Sequence, residues 1–233
     1  MDPLIDQLVL AKNAAGGRPF VTLAYAQSLD GSIAVDAGAP FALSSPQALT
    51  LTHYLRAHHD GLLVGVNTIL ADDPQLNVRY CEGEDPRAVI LDSQLRTPLD
   101  CRVLRQATKP PIIVATSDSD PVRREALAAA GATVILVARD ESGCADLRET
   151  LEALGQSGLR TLMVEGGSKI IGTFLKQHLV NYSVITITPK LLGGLKAIDG
   201  LCREGASPHL AIADCQYCPL GSDIIAYGPV SYA

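Results

Sequence analysis

Residues 161–175, Thr-Leu-Met-Val-Glu-Gly-Gly-Ser-Lys-Ile-Ile-Gly-Thr-Phe-Leu, constrain the fold more than any other stretch. An apolar run of strand length enters two glycines and leaves directly into a helix. The glycines permit close backbone approach, Ser168 is placed to cap the helix, and free N–H groups of its first turn present partial positive charge to an anion. Glu165 falls at the carboxyl end of the strand, where open α/β sheets place their ligands. Two readings stand at this point: a phosphate cradle, or only a tight strand-to-helix turn.

The remaining chain alternates in the same way. A short helix with Leu4, Ile5, Leu8 and Val9 leads through Gly16-Gly17 into a buried strand, Phe20–Ala26, which ends in the polar turn Gln27-Ser28-Leu29-Asp30-Gly31. Residues 32–44, with Gly38 and Pro40, form a long loop of the length expected of a lid or substrate loop. Ser45-Pro46 supplies a cap and first-turn proline to a helix over 47–58, with Leu49, Leu51, Tyr54 and Leu55 on its inner side. Strands follow at 61–66, 87–92, 111–115, 133–137 and 182–188, and helices at 67–71, 121–130 and 144–154, with Ser93 to Arg105 irregular. In the tail, runs at 210–217 and 223–227 are joined by a link too short for a crossover helix, so they pair antiparallel. Strand–helix alternation elsewhere predicts mostly parallel strands with helices on both faces. No linker or repeat marks a boundary, and the 233 residues are expected to form one domain, 1–233, with 1–19 as an N-terminal extension.

Charge and composition exclude several classes. The net charge of −6 disfavours nucleic-acid or anionic-membrane binding, so an anionic ligand must be held by a few local arginines. No apolar run approaches the roughly 18 residues of a membrane span, and the start lacks a basic region followed by an apolar stretch; the expectation is a cytoplasmic protein. The six cysteines are expected to be reduced thiols, and the Cys215-x-x-Cys218 pair has no second pair or paired histidines at zinc spacing. No metal is expected. His53, His58 and His59 are not stacked as metal ligands, and surface or cap roles are expected of them.

Four polar clusters fall at strand ends: 27–30, Asn67-Thr68 with Asp72, Asp92-Ser93, and Glu165-Gly166-Gly167. In a parallel sheet these ends line one crevice. Arg56 and Arg79 stand beside them, suited to a phosphate through forked hydrogen bonds. No Gly-x-Ser-x-Gly elbow or Cys–His pairing supplies a nucleophile, and hydride transfer needs none because the cofactor carries that step.

The motifs Tyr25-Ala-Gln-Ser-Leu-Asp-Gly31, Thr52-His-Tyr-Leu-Arg56, Leu63-Val-Gly65-x-x-Thr68, Leu70-Ala-Asp72-Asp-Pro-x-Leu76-Asn-Val-Arg79 and Val164-Glu-Gly-Gly167 together resemble the riboflavin-biosynthesis reductases. The wording is closest to the free-standing fungal and archaeal type, and the zinc signature of a cytidine deaminase is absent. The resemblance implies a dihydrofolate-reductase-like fold, a homodimer, and NADPH-dependent reduction of the ribosylamino side chain of a pyrimidine 5′-phosphate to a ribitylamino chain. It implies that Ala26, Thr68, Asp72, Ser93 and the segment Gly166, Gly167, Ser168, Lys169, Ile170, Ile171, Gly172 and Thr173 contact the dinucleotide. It implies that Arg56, Leu76, Arg79 and Glu165 contact the substrate. The chain departs from the bacterial fused enzymes at Pro40-Phe41-Ala42, where they carry Ser-x-Trp, and at Ala24, where they carry lysine. Asp30 and Glu165 are the side chains expected to assist the proton, with water as the alternative. Two rival readings share these features: a pteridine or dihydrofolate reductase, and a protein that binds NADPH without chemistry.

Overall fold

The structure is a computed structural model in which residues 2–13, 17–36, 42–199 and 210–232 are described. Near the centre of its sheet runs β1 (Phe20–Ser28), buried from Val21 to Ala24, preceded by α1 (Asp2–Asn13). There follow β2 (Ser32–Ala34), α2 (Pro46–His58), β3 (Gly61–Gly65), α3 (Val66–Asp72), β4 (Arg87–Leu91), α4 (Arg102–Gln106), β5 (Ile112–Thr116), α5 (Pro121–Ala129) and β6 (Thr133–Val137). The chain continues through α6 (Leu147–Gln156), β7 (Thr161–Val164), α7 (Ser168–Lys176), β8 (Tyr182–Thr188), β9 (Leu195–Lys196), β10 (Leu210–Ile212), β11 (Gln216–Leu220) and β12 (Asp223–Tyr232).

The main sheet has the order β10-β12-β8-β1-β7-β3-β4-β5-β6, with β11 paired to β12. From β8 to β6 every pairing is parallel, and β12 returns antiparallel along β8. After β4, β5 and β6 are laid outward, β7 comes back to fill the place between β1 and β3. That return sets Glu165 between the ends of two strands formed much earlier in the chain.

Period-two alternation then builds two cores. Leu62, Val64, Ile90 and Ile113 point to one face, where α1, α2 and α3 contribute Leu4, Leu8, Leu55 and Ile69. Leu63, Val89, Ile112 and Val114 point to the other, where α6 and α7 contribute Leu151, Leu154, Ile171 and Phe174. Buried on both faces, these strands read as unbroken apolar runs.

Helix starts follow the sequence signals at several points. The Ser45 side chain accepts the N–H of Ala48 at 3.3 Å ahead of Pro46, and Gly131, at φ +96°, ends α5 as expected. The structure departs from expectation where the signal was short or ambiguous. Residues 102–106 form a helix too brief to show a 3.6-residue period. On α2 the inner stripe is Ala48, His53 and Leu55 with Leu51 partly buried, whereas Leu49 and Tyr54 are each 38% exposed. A stripe at 48, 51 and 55 leaves 49 and 54 outside it. Helix α6 starts at Leu147 because the Asp146 carboxylate accepts the N–H of Glu149, and the 210–217 run is split in two around Asp214, which has φ +47°. The expected long loop holds β2, which pairs with β9; Gly38, Pro40 and Phe41 lie outside the described residues. Among the described residues no helix is long and apolar enough to cross a membrane.

Candidate active site

The carboxyl ends of β3, β4 and β7 open into a cleft of about 1050 Å³, lined among others by Thr68, Asp72, Ser93, Gly167, Ser168, Lys169, Ile170 and Thr173. Its volume is at the upper end of the roughly 300–1,000 Å³ usual for small-molecule sites. Gly166, Ile171, Gly172 and Ala26 do not line it: Ile171 and Gly172 are buried on the inner face of α7, and Ala26 lies on β1.

The first turn of α7 has no side-chain cap. Gly167, not Ser168, is the N-cap residue, with extended backbone, and Ser168 is the first residue of the helix. The Gly167 carbonyl accepts the N–H groups of Ile170 and Ile171 at 3.0 and 3.1 Å, which leaves the N–H groups ahead of them to a ligand. The two glycines do different work. A Cβ on Gly166 would stand 2.6 Å from Cβ of Ile170, whereas a Cβ on Gly167 would meet nothing within 4 Å. Gly166 lets the helix close on the strand, and Gly167 keeps the cleft floor clear.

Beside that turn, Glu165 is held by Arg56 from the far face of the sheet. Arg56 donates from Nε to Oε1 at 2.8 Å and from Nη2 to Oε2 at 2.7 Å, a two-point fork, and from Nη1 to the carbonyl of Asn77 at 3.1 Å. Burial opposes the Arg56 charge, but the adjacent Glu165 carboxylate outweighs it and holds the guanidinium above its ordinary pKa. The side chains are 12% and 20% exposed, so the pair is shielded enough to be strong and open enough to meet a ligand.

Arg79 has no carboxylate partner among the described residues. It donates to the side-chain oxygens of Gln75 and Asn77, and its guanidinium lies 5.7 Å from the centre of the Tyr80 ring. Leu76 is buried at φ +52°, a left-handed turn that aims the loop back toward Arg56. His53 fixes that loop. Its Nδ1 accepts the backbone N–H of Arg79 at 3.0 Å, and its ring packs edge-on against Tyr80 with centroids 4.6 Å apart. Burial, then the charges of Arg56 and Arg79, push the imidazole down to about 4 against the pull of Glu165.

Of the surface or cap roles expected of the three histidines, His59 takes the cap, ending α2 with its backbone N–H on the Arg56 carbonyl although its ring is buried; His58 is outside, and His53 is buried, contrary to expectation. His53 lies three residues before Arg56, on the same helix face, a spacing that separates it from His58 and His59. Asp30 also has a fixed environment. Its carboxylate accepts from Ser28, Ser32, the backbone N–H groups of Leu192 and Gly193, and Lys196. Lys196 first, then Ser28 and the Leu192 N–H, hold it well below the ordinary carboxylate range. Such a group ties the 190–196 loop to β1 and does not retain a proton to give.

A profile of the RibD C-terminal domain matches residues 19–226. The chain belongs to the RibD C-terminal domain family. Its sequence is 37% identical over 187 residues to the 2,5-diamino-6-ribosylamino-4(3H)-pyrimidinone 5′-phosphate reductase of Saccharomyces cerevisiae, covering 75% of this chain and 74% of the relative. The reductase of the same name from Methanothermobacter thermautotrophicus is 34% identical, covering 89% and 96%. The chain spans only 50% and 57% of the riboflavin biosynthesis proteins RibD of Actinobacillus pleuropneumoniae and Aquifex aeolicus, to which it is 35% and 32% identical. The solved Saccharomyces cerevisiae riboflavin biosynthesis reductase Rib7 is similar with a TM-score of 0.72 at 28% identity, covering 99% of this chain and 98% of that one. A dihydrofolate reductase from Enterococcus faecalis aligns with a TM-score of 0.51 at 13% identity, covering 92% and 99%. The expected dihydrofolate-reductase-like fold is present.

Within this family member the cleft also holds residues that sequence reasoning passed over: Arg96, Asp140, Ser142 and Cys144. Arg96 follows the Asp92-Ser93 cluster closely enough to have been considered with it. The Asp140–Cys144 turn belongs to the β6–α6 connection and had no motif; Asp140 closes it by accepting from Ser142 and Cys144. The described cysteines are all free thiols, and no group of metal-ligating side chains is found among the described residues.

Proposed function

We propose that this chain reduces the ribosylamino side chain of a pyrimidine 5′-phosphate to a ribitylamino chain in riboflavin biosynthesis, with NADPH as reductant. The observation that carries the reading is one junction with two faces: Glu165, gripped by Arg56, ends the strand whose next turn is the uncapped start of α7. One side suits a polar substrate and the other a diphosphate. The wide cleft, the open floor at Gly167 and the absence of a capping side chain fit a dinucleotide.

When bound, the nicotinamide supplies a hydride. The residues of the chain have the following tasks. The N–H groups of the first turn of α7, with Ser168, Lys169, Ile170 and Thr173, bind the diphosphate, while Thr68, Asp72 and Ser93 on the opposite wall take the adenosine half; Ala26 is given to the cofactor by the family resemblance alone. Glu165, immobilised through both oxygens, keeps outward lone pairs to accept from the substrate's amino or hydroxyl groups. Arg79, without a carboxylate partner, binds the 5′-phosphate, and Leu76 packs against the pyrimidine side of the pocket. Opening of the ribosylamino ring breaks the C1′–O4′ bond and moves the amine proton to the ring oxygen, leaving an imine; a hydride at C1′ and a proton at the nitrogen would then complete the ribitylamino chain. Asp30 is a poor source for that proton, since its five donors favour the carboxylate; we assign it a positioning role on the 190–196 loop and assign the proton to water near Glu165.

The same reading carries a homodimer, from the family resemblance, and a cytoplasmic site of action, from the sequence expectation. The test is consumption of NADPH by the purified chain, followed by its absorbance, with the deaminated and non-deaminated ribosylaminopyrimidine phosphates side by side and dihydrofolate as the control. Turnover of either pyrimidine supports the assignment. Oxidation with dihydrofolate alone, or binding without oxidation, overturns it.

A further inference from the structure

Among the described residues two cationic side chains line the cleft, Arg96 and Lys169. Neither joins an ion pair among the described residues, although Asp36, Asp72, Asp92 and Asp140 share the walls. In a protein of net charge −6 with an acidic cleft, a cation without an acidic partner marks where an anion is received. Lys169 belongs to the first turn of α7 and shares the diphosphate position already argued. Arg96 does not. It stands on the connection after β4, and β3 separates β4 from β7 in the sheet, so the two strand ends are about 10 Å apart.

The direction of a bound dinucleotide follows from the sheet order. With its diphosphate at α7, its reacting end must reach Glu165 and the β7–β1 side, which leaves the adenosine end to β3 and β4. There Arg96 donates from Nη2 to Oδ1 of Asn67 at 2.9 Å, its sole hydrogen bond among the described residues. Its Nε and Nη1 are left to a ligand. The Ser93 hydroxyl accepts the N–H of Ala145 at 2.9 Å and keeps its own proton to donate. The geometry points to Arg96 as the residue that reads the ribose 2′-phosphate and so selects NADPH over NADH, with Asn67 holding the guanidinium in place. An arginine near the adenosine ribose is a general solution to 2′-phosphate recognition, whereas an acid there selects the 2′-hydroxyl. Asp72, exposed on the same wall, is the competing candidate for that position. The inference rests on the NADPH reading above.

The test is titration calorimetry without substrate, using NADPH, NADH, adenosine 2′,5′-bisphosphate and AMP. The wild type is expected to prefer NADPH to NADH and the bisphosphate to AMP by about 10- to 100-fold, the worth of a charged hydrogen-bonded contact. Arg96→Ala should lose that preference while NADH affinity is retained, and retained NADH binding shows that the fold is intact. Arg96→Glu should favour NADH outright. Lys169→Ala should weaken NADPH and NADH alike. Normal NADPH binding by the wild type with an unchanged NADPH:NADH ratio in Arg96→Ala overturns the role of Arg96 and leaves the functional reading standing. A wild type that prefers NADH overturns it in favour of Asp72. Failure of the wild type to bind either dinucleotide removes the functional reading as well.

Discussion

His53 Nδ1 accepts the backbone N–H of Arg79 at 3.0 Å, so a buried side chain of α2 holds the loop that carries the expected phosphate arginine. Only an imidazole without a proton on Nδ1 can do this. The folded protein keeps the ring neutral, with its pKa down at about 4, and His59, buried against Thr22, is lowered to about 4 as well.

The sign of the resulting pH dependence is fixed by linkage. The unfolded chain binds these protons near the ordinary histidine pKa of about 6.5, before the folded chain does. Stability contributed by the two rings is therefore intact above about pH 6.5 and falls as pH drops toward about 4, where the folded rings also titrate. Urea midpoints measured between pH 7 and pH 4.5 should decline, and His53→Asn should remove a part of that decline, with His59 supplying the rest. A slope identical to wild type would show that His53 is not the titrating group.

Glu165→Gln is the sharpest test of the Arg56 fork. The substitution keeps the shape but removes the charge, and it leaves a guanidinium that is 12% exposed facing an amide. Unfolding stability should fall by about 1–3 kcal/mol. Turnover with the pyrimidine phosphate should fall by about 10- to 100-fold, while the NADPH dissociation constant stays within about twofold, because Glu165 is held by Arg56 of α2 and the diphosphate is assigned to α7. Kinetics equal to wild type would remove Glu165 from the substrate site.

Much of this was legible in the chain. Parallel order followed from strand–helix alternation, and the polar ends of β3, β4 and β7 were recognised because each apolar run stops at a short polar cluster. The partners of those residues were not legible. Arg56 and Glu165 are 109 positions apart and meet only because β7 returns between β1 and β3. Nothing local says that Ser168 opens α7 while Gly167 precedes it uncapped, or that Asp30 is surrounded by donors from the 190–196 loop. Those facts depend on distant segments arriving at the same place, which periodicity and spacing do not record.

Arg79 is exposed and held by neutral partners, so its removal should alter ligand affinity more than folding. Arg79→Ala should raise KM for the phosphorylated pyrimidine by about 10- to 100-fold, with kcat and thermal stability little changed. The discriminating control is a dephosphorylated substrate. An equal rise in its KM would mean that Arg79 contacts the sugar or base, or only shapes the loop, and would withdraw it from the phosphate.

The adjacent glycines give the last prediction, since the same added methyl should act through different terms at each. At Gly166 a Cβ falls 2.6 Å from both Cβ and Cγ2 of Ile170, atoms at the root of a branched side chain that cannot swing aside. Gly166→Ala should therefore push α7 from β7 and destabilise the fold by about 1–3 kcal/mol, the usual cost of overpacking. At Gly167 the backbone is ordinary, with φ −73°, and a Cβ meets nothing within 4 Å. Gly167→Ala should leave stability unchanged or slightly raised, because the unfolded chain loses freedom. The methyl would stand where the diphosphate is expected, so NADPH affinity should fall by about tenfold or more, the equivalent of about 1.4 kcal/mol. Thermal melts with and without NADPH separate the two: Gly166→Ala lowers the melting temperature in both, and Gly167→Ala lowers only the shift that the cofactor produces. A full NADPH shift in Gly167→Ala would mean that the diphosphate does not sit on the first turn of α7.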